Sequence, residues 1–204
     1  MATVLYIKAN PKPVEESRSL QIAEEFIAAY KREHPDHEIV TLDLYREGIR
    51  FLTAEDIRYH NLEALKDSAA AHNHPILKYA FQFAAADKYV IAEPLWNLGV
   101  PAILKAYIDY VAVSGITFKY TDDAVIGLCH GKKALNITTR GGDYTHGEMA
   151  AWEMCDKYLR AVLGFFGITD YTTLAVDNLD IVGQDVEAIM NRAINRAREL
   201  AKVF

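Results

Sequence analysis

The chain has 204 residues, of which 51% are hydrophobic and 25% are charged, and its net charge is -6 at pH 7. This length and composition predict one domain of ordinary size over residues 1–204, with a full hydrophobic core. The acidic balance argues against nucleic acid as a partner, which requires a dense basic face, and against binding to anionic membrane surfaces. No apolar run approaches the roughly 20 residues of a membrane span, and no signal peptide precedes the first predicted strand.

The chain contains two cysteines, Cys129 and Cys155. Their spacing fits neither a zinc site nor a disulfide framework, so we expect no metal site. Free thiols are typical of a reducing compartment, and we therefore expect a cytoplasmic protein.

Short apolar segments and segments with helical periodicity alternate along the chain. The first apolar segment, Thr3 to Lys8, ends at Asn10-Pro11, and a helical stripe of apolar residues follows from Ser17. A less regular stretch from Tyr45 to Asn73 predicts loop and short helix, with a capping pattern at Thr53 to Asp56. The predicted strands are 3–8, 38–43, 88–92, 132–138 and 168–176, and the predicted helices are 17–34, 75–86, 101–113, 150–163 and 185–201.

This alternation predicts an α/β fold, in which a parallel sheet is covered by helices on both faces. Five strand–helix units fit a flavodoxin-like, doubly wound five-stranded sheet better than the longer six-stranded dinucleotide fold. The segment Ala9 to Ser19 lacks the glycine-rich phosphate fingerprint of that longer fold. A phosphoacceptor receiver domain shares the flavodoxin-like strand order, but it needs an acidic pair where this chain has Ala9 and Asn10.

In the flavodoxin-like order, loops at the carboxyl ends of the strands meet at the switch in strand order. The first loop ends in Ser17-Arg18-Ser19 at a predicted helix start. The free N–H groups of the first turn, the helix dipole and two hydroxyls predict an anion site, to which Arg18 adds a charged fork. The alternative is that Ser17 serves only as a helix cap.

The second loop, Pro94 to Pro101, follows an apolar strand and contains a tryptophan, two leucines and two prolines. Such a segment predicts a rigid apolar wall whose backbone N–H groups point outward, suited to a flat aromatic ligand. The alternative is a hydrophobic loop that packs under a helix.

The third loop, Thr138 to Tyr144, contains the pair Gly141-Gly142. Paired glycines allow close approach of the backbone and unusual dihedral angles, so that their N–H groups face the carbonyl edge of a planar ligand. The alternative is a simple turn, with Tyr144 and His146 as ordinary surface residues. Together, the three loops match the phosphate tail, flat face and pyrimidine rim of an isoalloxazine mononucleotide.

Four segments carry a resemblance to a known family: residues 93–109 (EPLWNLGVPAILKAYID), 115–121 (GITFKYT), 140–142 (RGG) and 163–168 (LGFFGI). The chain resembles the FMN-dependent NADH-azoreductases, also described as NADH:quinone oxidoreductases, over nearly its whole length. The resemblance implies that NADH passes a hydride to flavin N5 and leaves, after which a quinone or azo compound is reduced in the same slot. The flavin carries the chemistry, and no protein acid or base is identified as catalytic.

The resemblance also implies which residues hold one FMN per subunit. Asn10 and the segment Ser17 to Ser19 would bind the ribityl phosphate, Leu95 to Leu98 would line the isoalloxazine, and Thr139 to Gly142 would meet the pyrimidine rim. Tyr144 stands where the family often has a histidine. The predicted cofactor-binding residues are Asn10, Ser17, Arg18, Ser19, Pro94, Leu95, Trp96, Asn97, Leu98, Thr139, Arg140, Gly141, Gly142 and Tyr144.

Family members are homodimers with each flavin at the subunit boundary, so Tyr120 and Phe165 would reach in from the partner chain. The predicted substrate pocket comprises Trp96, Phe118, Tyr120 and Phe165, with Phe166 as a further member of the aromatic slot. The alternative for each aromatic residue is a place in the core. Tyr120, Tyr144 and His146 are candidates for orienting or protonating a substrate.

A flavodoxin-type electron carrier without a substrate of its own is the alternative function. Carriers typically have a compact phosphate loop rich in serine and threonine, and an exposed flavin edge. The longer loop from Asn10 to Ser19 and the bulky wall from Pro94 to Pro101 favour an enzyme with an enclosed pocket.

Overall fold

A parallel sheet of five strands forms the centre of the computed structural model, which describes residues 1–60 and 69–204. The sheet order is β2-β1-β3-β6-β7 and all its pairs are parallel, which confirms the predicted flavodoxin-like, doubly wound arrangement. A separate antiparallel pair, β4 and β5, forms a hairpin. The strands are β1 (Thr3–Lys8), β2 (Glu38–Asp43), β3 (Lys88–Pro94), β4 (Phe118–Tyr120), β5 (Val125–Gly127), β6 (Lys133–Thr139) and β7 (Asp170–Val176).

Helices cover both faces of the sheet. They are α1 (Arg18–Glu33), α2 (Ala54–His60), α3 (Ala69–His72), α4 (Leu77–Ala85), α5 (Ala102–Val111), α6 (Cys155–Phe165) and α7 (Val186–Val203), with 3-10 turns at Val14–Glu16 and Glu148–Trp152. Within the described residues, none of these helices combines the length and the apolar character that crossing a membrane would require.

Two apolar layers result from the alternation of side chains along each strand. On β1, Val4 and Tyr6 pack with α1 and α7, while Leu5 and Ile7 pack with α4, α5 and α6. All four side chains are buried. The predicted full hydrophobic core is therefore present on both faces.

The irregular stretch predicted from Tyr45 to Asn73 contains α2 and α3, and its residues 61–68 lie outside the described part of the chain. The capping pattern at its start is confirmed. The Asp56 carboxylate accepts a hydrogen bond from the Thr53 backbone N–H at 2.7 Å, and Thr53 Oγ1 accepts one from the Asp56 N–H at 3.3 Å.

The predicted helix 150–163 is wrong at its start, because α6 begins at Cys155. The Glu153 carboxylate accepts hydrogen bonds from the N–H groups of Cys155 and Asp156 at 3.0 and 2.8 Å, so it caps α6 and separates the helix from the preceding 3-10 turn. In addition, β3 runs two residues past its predicted end, to Pro94.

The hairpin of β4 and β5 was not predicted, because strands of three residues are too short to show an alternating pattern. Its position follows from the topology. Helix α5 begins just after the carboxyl end of β3 and runs back along the sheet, so the hairpin that follows lies at the amino edge. The loops after β1, β3, β6 and β7 lie at the opposite, carboxyl edge.

Candidate functional site

A cleft of about 290 Å³ lies at the carboxyl edge of the sheet, where β1 and β3 mark the switch in strand order. Loops that follow β1, β3, β6 and β7 form its walls, as expected for a doubly wound sheet. Its lining residues are Asn10, Lys12, Glu16, Ser17, Arg18, Pro94, Leu95, Trp96, Thr139, Arg140, Gly141, Leu179 and Asp180.

One end of the cleft is the amino terminus of α1. Ser17 caps this helix, since its Oγ accepts a hydrogen bond from the Leu20 N–H at 3.3 Å, and its hydroxyl lies 3.3 Å from that of Ser19. The N–H groups of Arg18 and Ser19 are in the first turn and have no intrahelical acceptor. Ser17 is therefore both a cap and part of a group of donors suited to an anion.

Two cations flank these donors. The Arg18 guanidinium extends to the Asp180 carboxylate, with Nη1 and Oδ1 2.7 Å apart, so an anion in the cleft would share this arginine with Asp180. Lys12 also lines the cleft, in a loop that Asn10 shapes by accepting a hydrogen bond from the Lys12 N–H at 3.0 Å.

Sequence reasoning missed four lining residues, Lys12, Glu16, Leu179 and Asp180. The last two follow β7, whose carboxyl end lies beside that of β6. The strand order therefore held the signal, because a fourth loop belongs to the same edge of the sheet.

The apolar wall begins where β3 ends. The Leu95 N–H donates to the Thr139 carbonyl at 2.9 Å, and Trp96 and Gly99 then exchange two backbone hydrogen bonds at 3.0 and 3.1 Å. Between them, Asn97 and Leu98 have φ values of 48° and 72°, the pattern of a type I′ turn. A leucine at positive φ is strained, and such strain is often found at functional sites.

The amide edge consists of Gly141 and Gly142. The expectation of unusual dihedral angles is wrong, because neither glycine has a positive φ. A Cβ on Gly141 would lie 2.7 Å from Asp180 Oδ2, at the end of an exposed side chain. The carbonyl groups of the pair accept hydrogen bonds from the loop after β7, while their N–H groups have no acceptor within residues 1–60 and 69–204.

Arg140 lines the cleft, and its side chain is buried. The guanidinium lies 3.3 Å from Glu153 Oε1 and 3.6 Å from Asp177 Oδ1. This side chain therefore joins the third loop to the cap of α6 and to the loop after β7.

The predicted aromatic pocket divides into two groups. Trp96 lines the cleft and is 40% exposed. Phe118 and Phe165 contact each other, with ring centroids 4.7 Å apart, and Tyr120 packs edge-on against Phe118. This second group follows the hairpin to the amino edge and does not line the cleft of its own chain. Phe166 lies in the core against Phe83, rather than in an aromatic slot.

Several other predicted residues lie beside the cleft but do not line it. Tyr144 is half-buried near Gly142, and exposed His146 has its Nδ1 3.4 Å from Asp143 Oδ1, in a separate groove between β7 and α7. The other predicted cofactor-binding residues that do not line the cleft are Ser19, Asn97, Leu98 and Gly142.

The chain matches, over residues 2–201, a family described as having a flavodoxin-like fold. It is 54% identical to "FMN-dependent NADH:quinone oxidoreductase 2" of Clostridium acetobutylicum over the full length of both chains. An azoreductase structure from Bacillus anthracis strain Sterne superposes with a TM-score of 0.90 at 37% identity, covering 100% of both chains. An FMN-dependent NADH-azoreductase of Bacillus anthracis, solved in complex with FMN, superposes with a TM-score of 0.89 at 26% identity, covering 100% of this chain and 99% of the other. The chain therefore belongs to the family of the FMN-dependent NADH:quinone oxidoreductases, and it is an oxidoreductase with a flavodoxin-like fold.

Proposed function

We propose that residues 1–204 form a single flavin-binding unit that holds FMN in the carboxyl-edge cleft and reduces quinones and aromatic azo compounds with NADH. The observation that carries this proposal is the meeting of three surfaces in one cleft. Free helix N–H groups, an apolar wall and free glycine N–H groups match a phosphate, a ring face and a carbonyl-bearing rim.

At one end, the N–H groups of Arg18 and Ser19 and the hydroxyl of Ser17 would bind the phosphate. The helix dipole favours a negative charge there. Lys12 and Arg18 add positive charge, which Asp180 partly offsets through its ion pair with Arg18. These local donors and charges would let the cleft bind a phosphate dianion without requiring a basic surface patch.

FMN held in this cleft would supply the hydride chemistry between NADH and the second substrate, and the protein would supply binding and orientation. Leu95 and Trp96 would hold the ring, and the turn at Asn97 and Leu98 fixes their backbone at the rim of the cleft. The N–H group of Gly141, which lines the cleft, together with that of Gly142 beside it, would stabilise the negative charge that reduction brings to the pyrimidine side, as the donors of an oxyanion hole do.

We further propose a homodimer in which Tyr120 and Phe165 of the partner subunit cover each cleft. Two apolar surfaces support it: Tyr120, Val125, Ile126 and Phe165 are exposed at the amino edge, and Trp96, Leu98 and Met154 are exposed at the cleft. A two-fold axis would place the amino-edge surface of each subunit over the cleft surface of its partner, so that the same contact forms twice. The two free thiols support a reducing cytoplasm as the compartment.

The test begins with a titration of the apoprotein with FMN. We expect a flavin spectrum that NADH bleaches and that menadione or an azo dye restores. Steady-state turnover should give parallel double-reciprocal lines, because the two substrates share one slot. Absence of FMN binding would contradict the proposal, and bleaching without turnover would favour an electron carrier that needs a separate reductase.

A further inference from the structure

A buried polar seam lies directly below the cleft, on the face of the sheet that α6 covers. It consists of Glu93 on β3, Asn136 and Thr138 on β6, and Cys155 at the start of α6, and none of the four has exposed surface. Glu93 is opposite Thr138 in the register of the two strands. The next residue of each strand, Pro94 and Thr139, lines the cleft.

The seam holds polar atoms that lack partners. The Cys155 thiol donates to Glu93 Oε1 at 2.8 Å, but Glu93 Oε2, Asn136 Oδ1 and Thr138 Oγ1 have no hydrogen-bond partner among the described residues. An ionised carboxylate can only accept hydrogen bonds, whereas a protonated one also has an O–H donor. A proton on Oε2 would thus add an O–H donor to a seam in which Asn136 Oδ1 and Thr138 Oγ1 lack partners.

Burial is the largest influence on Glu93 and raises its pKa to about 7, against the opposing effects of the Cys155 hydrogen bond and of the neighbouring Thr138 and Asn136 side chains. The positive charge of Arg140 also acts against this rise, but that side chain is shared with Glu153. Burial, followed by the neighbouring Glu93, raises the pKa of Cys155 far above its usual range, so the thiol keeps its proton.

The remaining acid that faces the seam is Asp156, to which the Asn136 side-chain amide donates at 3.2 Å. Burial opposes its ionisation, but hydrogen bonds from Thr173 and Tyr171, together with that from Asn136, lower its pKa overall. Asp156 therefore stays ionised, and Glu93 is the seam residue placed to exchange a proton near neutral pH.

We propose that Glu93 is a positioning residue that binds a proton when the cleft above it gains negative charge. This inference rests on the proposed function. A hydride from NADH brings two electrons and one proton to the cleft and releases NAD⁺, so the cleft gains one negative charge. The Glu93 carboxylate then forms an O–H bond with a proton from solvent, which restores the net charge. When a quinone takes the hydride, it also takes one proton, and Glu93 releases its own.

The experiment counts protons. Wild type, Glu93→Gln and Glu24→Gln are loaded with FMN, reduced anaerobically with one equivalent of NADH, and followed with a pH indicator. Glutamine keeps the shape of Glu93 but cannot ionise, while Glu24 is a carboxylate on α1, on the other face of the sheet, that pairs with Lys8.

We expect wild type and Glu24→Gln to take up more protons per FMN than Glu93→Gln. The excess should be largest above pH 7, where Glu93 is ionised before reduction, and should vanish in acid, where it already holds its proton. Equal uptake by wild type and Glu93→Gln at every pH would overturn the inference.

Infrared difference spectra give a second measurement that does not depend on turnover. Reduction of wild type should produce the C=O band of a protonated carboxyl, which Glu93→Gln lacks. Cys155→Ser should move the pH midpoint of that band downward, because a hydroxyl is a stronger donor to the carboxylate than a thiol. A spectrum without the band overturns the inference while leaving FMN binding intact, whereas a wild type that binds no FMN overturns the proposed function as well.

Discussion

The two edges of the sheet differ in whether their polar groups have hydrogen-bond partners within the chain. At the amino edge, Thr117 Oγ1 donates to the Val111 carbonyl at 2.7 Å, and the Cys129 N–H donates to the Phe166 carbonyl at 2.8 Å. At the carboxyl edge, the N–H groups of Gly141 and Gly142 have no acceptor in the described part of the chain. At these positions the amino edge pairs its polar groups within the fold, while the carboxyl edge keeps donors for a ligand. Substitutions at the two edges should have separable effects.

Gly127→Ala should have the largest effect on stability. A Cβ at this position would lie 2.2 Å from the Gly167 nitrogen and 2.3 Å from the Phe166 carbonyl carbon, and backbone atoms cannot move aside as a flexible side chain can. We expect the free energy of unfolding to fall by about 3 kcal/mol or more, as for severe overpacking. Denaturant unfolding, followed by circular dichroism, measures the change.

Gly164→Ala is the matched control for this prediction. Gly164 lies in α6, close to the same hairpin, and a Cβ there meets nothing within 4 Å. Its replacement should stabilise the helix by up to about 1 kcal/mol, because alanine has the higher helix propensity. If both variants unfold alike, the close packing of the hairpin on Phe166 and Gly167 does not hold the amino edge.

At the carboxyl edge, a smaller loss of stability should accompany a specific loss of affinity. Ser17→Ala removes the cap of α1, and Asp185→Ala removes the cap of α7, where the carboxylate accepts a hydrogen bond from the Ala188 N–H at 2.9 Å. Each should lower stability by about 1 kcal/mol. Ser17→Ala alone should also raise the Kd for FMN about tenfold, because a hydrogen bond to a charged phosphate is lost.

Fluorescence titration with FMN separates the two roles of Ser17, since bound flavin is quenched by nearby aromatic rings. An unchanged Kd in Ser17→Ala would leave Ser17 as a cap and nothing more. A raised Kd in Asp185→Ala would show that loss of any helix cap disturbs the cleft.

The two edges also differ in how well the sequence predicts them. The carboxyl edge follows from strand order and local patterns, because Ser17, Leu95 and Gly141 lie in the loops that follow predicted strands. The role of Arg140 could not be predicted, since its partners Glu153 and Asp177 come from other elements. Glu93 stands out as an acid in an apolar strand, but its orphaned oxygen is visible only once β6 and α6 are placed beside it. The hairpin depends on long-range packing of Gly127, which no local pattern records.

The smallest expected effect on stability belongs to Tyr120→Ala, and it tests whether the two edges meet in a dimer. Tyr120 is 68% exposed, so the free energy of unfolding should change by no more than about 0.5 kcal/mol. If its ring covers the cleft of the partner subunit, the KM for the quinone should rise about tenfold, as for the loss of a central aromatic contact. The dissociation constant of the Tyr120→Ala dimer should also be higher than that of wild type, as light scattering over a range of protein concentrations would measure.

Val182→Ala is the control for Tyr120→Ala, because Val182 is fully exposed in the loop between β7 and α7 and belongs to neither apolar surface. It should match wild type in the oligomeric mass measured by light scattering and in the KM for the quinone. A monomeric wild type with full activity per chain would rule out the shared cleft, because the amino edge of a single chain lies at the opposite end of the sheet from its own cleft. A Tyr120→Ala protein that keeps its dimer but loses quinone affinity would instead show that Tyr120 contributes to substrate binding and not to dimer stability.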